Sequence, residues 1–100
     1  MTTIITESLW PGTSAEQVGK TWVEMKALPD WLTMVCAGIK SEVNLGSRGL
    51  VMYQCYKDKI DDSLAFIRED EARYLKIPGY SFSIDIWTEP EDALKMVGLA

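Results

Sequence analysis

The hydrophobic pattern of the chain switches in one fixed order, strand-like, helix-like, strand-like twice, helix-like and strand-like again, and that order limits the possible folds more than any single residue does. Residues 3–10 alternate, with Ile5, Glu7 and Leu9 on one side and Ile4, Thr6, Ser8 and Trp10 on the other, until Pro11-Gly12 stops the run. "TSAEQVGKTWVEMKAL" then places Ala15, Val18, Trp22 and Met25 at helical spacing, with Ser14/Gln17 or Thr13/Glu16 as a capping box and Pro29 beyond its end. "WLTMVCAGIKSEV" and "GLVMYQCYKD" are rich in β-formers, and "NLGSRG" between them reads as the turn of a hairpin. "DDSLAFIREDEARYLKI" opens with good N-cap residues and lines up Leu64, Ile67, Tyr74 and Leu75, a second helix that Pro78-Gly79 closes. Residues 80–87 set Tyr80, Phe82, Ile84 and Ile86 against Ser81, Ser83, Asp85 and Trp87; Thr88 and Glu91 then form a capping box for a short helix ending at Gly98.

The order β-α-β-β-α-β plus a short C-terminal helix defines an α+β fold of the ferredoxin-like, or split βαβ, type: an antiparallel four-stranded sheet with two helices on one face. A chain of 100 residues makes one domain, 1–100, and buries about two-thirds of its unfolded surface. The other sheet face is left open, and a large apolar open face is commonly buried against a second copy or a ligand. If the helices cover the Ile5/Leu9 and Phe82/Ile84 side, then Thr6, Ser8, Trp10, Ser83, Asp85 and Trp87 look toward a partner subunit. A homodimer through that face is therefore expected, with Val18, Trp22, Ile67, Phe82 and Ile84 meeting in one helix-on-sheet core.

Composition removes several function classes. The hydrophobic share of 47% and charged share of 25% are those of ordinary globular chains, which points away from disorder and from a membrane protein. "MTTIITESLW" lacks the basic start and apolar core of a signal peptide, so a cytoplasmic location is expected, with Cys36 and Cys55 reduced. A net charge of −5 with singly scattered Lys and Arg argues against nucleic acid and against acidic membrane surfaces. There is no histidine, which excludes Ser-His-Asp and Cys-His nucleophiles, histidine metal sites and histidine-ligated haem. No metal-ligand spacing and no cofactor motif is present, so neither a metal nor a cofactor is expected.

"ITESLWPG", the capped helix after it, the hairpin and "YSFSIDIWTEPEDALKM" together resemble the dimeric α+β barrel superfamily, particularly its small members of unknown function, over nearly the whole chain. The resemblance implies two sheets packed face to face into a barrel, in some members around a small-molecule pocket. Superfamily members that decompose chlorite or degrade haem need an axial histidine, and others use one catalytically, which this chain does not offer. RNA-recognition modules share the topology, but "RGLVMYQC" presents Leu50, Met52 and Gln54 where base-stacking rings are needed.

Four aromatic or polar residues, Trp10, Tyr53, Ser83 and Trp87, are candidates for ligand binding between the sheets. Three carboxylates are candidates for proton transfer. Asp85 borders Trp87 near the expected barrel mouth. Glu7 interrupts the Ile5/Leu9 alternation, and Glu71 falls on the apolar stripe of the second helix, where a buried carboxylate without a partner has a raised pKa. The structural alternatives are that Glu71 snorkels or pairs with Arg68, that Glu7 reaches a strand edge, and that the tryptophans supply dimer contact area. Cys36 falls opposite Cys55 if the hairpin turns at Leu45-Gly46, and both read as inert core thiols. The function expected is a homodimer holding a small apolar ligand between facing sheets. The alternative is a cofactor-independent monooxygenase or isomerase acting on an aromatic substrate through Asp85, Glu7, Glu71 or Tyr53. A third class is an adaptor that binds protein along its sheet edge.

Overall fold

A computed structural model describes residues 1–99. Strands β1 (Thr2–Trp10), β2 (Leu32–Glu42), β3 (Gly46–Cys55) and β4 (Ser81–Trp87) and helices α1 (Ala15–Val23), α2 (Ile60–Ala72) and α3 (Pro90–Met96) follow in the order β1-α1-β2-β3-α2-β4-α3. The four strands form one open antiparallel sheet in the order β2-β3-β1-β4. Among the described residues no helix is long and apolar enough to cross a membrane.

Both α1 and α2 pack on the same sheet face, in two adjoining clusters. Ile67 of α2 meets Ile4, Leu32, Tyr53 and Cys55, while Val18 of α1 meets Trp10, Tyr74 and Ile77. The core is therefore divided, unlike the single core expected from the sequence. Trp22 belongs to neither cluster and is 40% exposed.

The facing of β4 agrees with its alternation, since Ile84 packs against the first cluster while Ser83, Asp85 and Trp87 are exposed. On β1 the expected facing is reversed. Thr6 stands opposite Ile84 and Thr3 opposite Trp87, so the register puts Thr2, Ile4, Thr6, Ser8 and Trp10 under the helices and Ile5, Glu7 and Leu9 on the open face. Both sides of β1 carry two large apolar residues, so its pattern does not choose a face; the choice comes from Ile4 and Trp10 filling the two clusters.

The hairpin turn also lies earlier than "NLGSRG" implies. Glu42 pairs with Gly46, residues 43–45 make the turn, and Asn44 takes the left-handed conformation that Asn tolerates. A register shift at Val35 then places Cys36 opposite Met52, and Cys55 opposite Leu32, so the two cysteines are not neighbours. Cys36 is exposed and Cys55 is fully buried, so only the second is a core thiol.

The two Pro-Gly pairs meet in space. Ser14 Oγ donates to the Pro78 carbonyl at 2.7 Å instead of capping α1, and a Cβ on Gly79, whose φ is +76°, would stand 2.7 Å from the Pro11 ring. This junction fastens the exit of β1 to the entry of β4, and only glycine fits at position 79. At the C-terminal end the expected Thr88 box does not form: Glu89 precedes α3, with Pro90 in its first turn.

Candidate functional site

A cleft of about 490 Å³ opens between α1, the end of α2 and the β2-β3 half of the sheet. It exists because the facing surfaces carry small residues. Ala15 and Gly19 lie on the α1 face that also holds Val18 and Trp22, and Ala37, Gly38 and Gly49 lie across from them on β2 and β3. Trp10 and Tyr53 form the floor, with Tyr74 and Tyr80 at the α2 end and Trp22 and the exposed Ile39 among the remaining walls.

Glu71 sits in this apolar surround, 7% exposed, in the last turn of α2. Tyr80 Oη donates a hydrogen bond of 2.7 Å to Glu71 Oε2. The turns that run on from α2 set this up. Tyr74 N–H bonds the Glu71 carbonyl, Ile77 N–H bonds that of Tyr74, and Tyr80 N–H bonds that of Ile77, so the chain doubles back and returns Tyr80 to Glu71. The Tyr80 ring stacks on Tyr74 at 4.9 Å between centroids and on Trp10 at 6.2 Å.

Burial pushes the Glu71 carboxyl above its usual range, and the Tyr80 hydrogen bond opposes that shift. Burial and the neighbouring Glu71 raise the Tyr80 phenol, so it stays protonated and is the donor of the pair. Burial likewise raises Tyr53, and it pushes Tyr74 up to about 12. The Arg73 charge also opposes the rise at Glu71, but its guanidinium makes its bonds elsewhere: it pairs with Asp70, donates to the Thr21 carbonyl at 3.1 Å and lies 5.6 Å from the Tyr74 ring.

The sequence-derived candidates divide between the two sheet faces. Glu71, Trp10 and Tyr53 converge in the cleft. Glu7 and Ser83 lie opposite each other on the open face, where a shallow depression also includes Arg48, 3.9 Å from Glu7. Asp85 and Trp87 are exposed on the open side of β4. The sheet separates Asp85 and Glu7 from Glu71, so these carboxylates cannot act on one small molecule within the chain. Glu71 neither snorkels nor pairs with Arg68, which is exposed.

Tyr74, Tyr80 and Trp22 were not singled out by the sequence as site residues. Tyr74 follows Glu71 by three positions on one helical stripe, which is a usable signal. Tyr80 lies beyond Pro78-Gly79, and its return to Glu71 depends on the turn geometry. Among the described residues no three Cys, Asp or Glu side chains gather as metal ligands. No protein-family model, curated protein or solved structure matches the chain.

Proposed function

We propose that this is a ferredoxin-like homodimer that binds a small, mainly apolar molecule, with the ligand held in the helix–sheet cleft and the second copy on the open sheet face. The observation that carries the reading is the cleft itself, whose aromatic walls converge on one buried, hydrogen-bonded carboxylate. Its volume lies in the range of about 300–1,000 Å³ typical of ligand sites, and a few convergent polar groups in an apolar wall are the usual means of orienting a ligand. The fold assignment draws support from the strand order, which read from the other edge is β4-β1-β3-β2, as in two interleaved split βαβ units.

The dimer draws support from the open face. Ile5, Leu9, Leu50 and Met52 are half-buried there and Trp87 is 57% exposed. Beside them Glu7, Arg48, Glu42 and Lys40 form linked ion pairs. A patch carrying both signs can meet its own opposite charges across a two-fold axis.

Naphthylethanol, a neutral aromatic probe, tests the cleft by thermal shift and calorimetry. A native-state binder at about a hundred times its Kd adds about 2.7 kcal/mol of apparent stability. Gly19→Leu places a side chain in open space within the cleft, so it should abolish the shift without unfolding the protein. Undiminished binding to Gly19→Leu, or failure of both naphthylethanol and its amine analogue to bind the wild type, would reject the cleft as the ligand site.

A second reading rests on the raised pKa of Glu71 beside the protonated Tyr80. In it the carboxylate accepts a proton from a bound aromatic substrate, a step open to an isomerase or a cofactor-independent monooxygenase. Glu71→Gln would then abolish turnover while leaving binding of the substrate intact.

A further inference from the structure

Glu71 is more than nine-tenths buried, yet only one of its oxygens is satisfied within the protein. Oε2 accepts from Tyr80, while Oε1 has no hydrogen-bond partner. Among the described residues Ser63 Oγ alone is both sealed from solvent and unbonded, so Oε1 is not sealed from solvent, and the cleft is the opening that Glu71 lines.

The charges around the cleft have one sign. Its lining includes the carboxylates of Asp70 and Glu71 and no lysine or arginine. The single cation close by, Arg73, is committed to Asp70 and to the Thr21 carbonyl. A buried carboxylate gains most from a cationic donor, because a charge-assisted hydrogen bond in a low-dielectric site is roughly twice as strong as a neutral one. An anionic ligand would instead face the Glu71 carboxylate, which has no salt-bridge partner among the described residues, beside an Asp70 whose charge Arg73 already answers.

We infer that the molecule taken up by this cleft is an organic ammonium ion, a protonated primary or secondary amine on an aromatic or branched apolar body, whose N–H donates to Glu71 Oε1. The inference rests on the reading of the cleft as a binding site. The amine nitrogen enters at the end where Trp10, Tyr74 and Tyr80 surround Glu71, and nearby aromatic rings favour a cation. The apolar body lies along the small residues of α1 and the β2-β3 wall. A ligand lacking the apolar body forfeits the burial that holds it, and one lacking the charge leaves Oε1 with a weaker partner.

Three probes sharing one naphthalene body separate these contributions: naphthylethylamine as the cation, naphthylethanol as the neutral donor and naphthylacetate as the anion. Each is titrated calorimetrically near neutral pH into the wild type, Glu71→Gln and Gly19→Leu. The amine should bind the wild type about tenfold or more tighter than the alcohol, and the acetate should bind more weakly than both. Glu71→Gln keeps the side-chain volume and an acceptor for Tyr80, and it should remove that preference, so that amine and alcohol bind the variant within about twofold of each other. Gly19→Leu should abolish binding of the amine.

Equal binding of amine and alcohol by the wild type would overturn the inference and leave the cleft standing as a binding site. A preference that persists in Glu71→Gln would also overturn it, by assigning the attraction to the net negative surface. So would amine binding that survives in Gly19→Leu, a test that holds even if Glu71→Gln does not fold. Failure of both alcohol and amine to bind the wild type would reject the cleft reading and the inference together.

Discussion

Replacing Gly49 by alanine tests the packing on which the cleft floor depends. The added Cβ would stand 2.8 Å from Ser8 Oγ and 3.1 and 3.2 Å from two carbons of the Trp10 indole. The serine hydroxyl can rotate away, but the indole cannot: Trp10 is 5% exposed and packed against Tyr80, which is itself stacked on Tyr74. Overpacking of this kind costs about 1–3 kcal/mol, whereas alanine in place of a strand glycine recovers about 0.5–1 kcal/mol. The overpacking term wins, and a net loss of about 0.5–2 kcal/mol should follow. For a domain of this size each kcal/mol moves Tm by about 4–8 °C, so calorimetry and urea denaturation both resolve it. In a Trp10→Phe background the shorter ring no longer reaches the new methyl group, and Gly49→Ala should then cost about 1–2 kcal/mol less than in the wild type. A rise in Tm for the single variant, or the same cost in both backgrounds, would refute the placement of the Trp10 ring over Gly49.

The tryptophans should separate in the same assay: Trp10→Ala costs about 3–5 kcal/mol, and Trp22→Ala, being partly exposed and outside both clusters, costs less than about half of that. Equal losses would mean that Trp22 is a core residue after all. Cys36 should react with a thiol reagent in the native protein, while Cys55 should react only on unfolding; rapid native labelling of both would contradict the burial of β3. Glu71 gives a pH signature, because a carboxyl raised in the folded state contributes stability that is fully present below its ordinary value of 4.5 and is lost as pH rises through its folded value. The stability of wild type minus that of Glu71→Gln should therefore fall with rising pH over that window, with Asp70, Arg73 and the three tyrosines unchanged in both proteins. A difference that does not vary with pH would show that Glu71 is ordinarily solvated.

How far the sequence reveals this fold depends on how one-sided each pattern is. In β4 all the apolar residues but Trp87 fall on one side, and the strand faces the way its alternation says. In β1 the apolar residues are split between the sides, and facing is decided only by the register that sets Thr6 beside Ile84. Trp22 keeps helical spacing with Val18, yet the small residues opposite it leave no wall to pack against, so spacing alone overstates its burial. Glu71 was legible as a misplaced carboxylate on an apolar stripe. Its partner was not, because the Glu71–Tyr80 bond depends on three successive turns and on Gly79 packed against Pro11, neither of which is encoded in hydrophobic period.

The departures from local preference gather at one place in the molecule. Gly19 stands inside α1, where glycine costs about 1 kcal/mol relative to alanine, and it has open space around it that a larger side chain would fill. Ala37 and Gly38 sit in a strand where β-branched residues would pair better. Glu71 is buried without a cation of its own. Each of these is unfavourable to folding when taken alone, and none is required by the sheet or by the two clusters of the core. All of them border the same cleft. Conflicts between local preference and the fold tend to collect where a protein does something other than fold, because a chain shaped by stability alone would close the cavity and neutralise the carboxylate. On the open face the unusual residues are of another kind: Glu7 and Arg48 interrupt apolar strands, but they answer each other's charge across β1 and β3. In the proposed dimer that face would specify how the second copy docks, while the cleft retains a carboxylate with no ion-pair partner among the described residues.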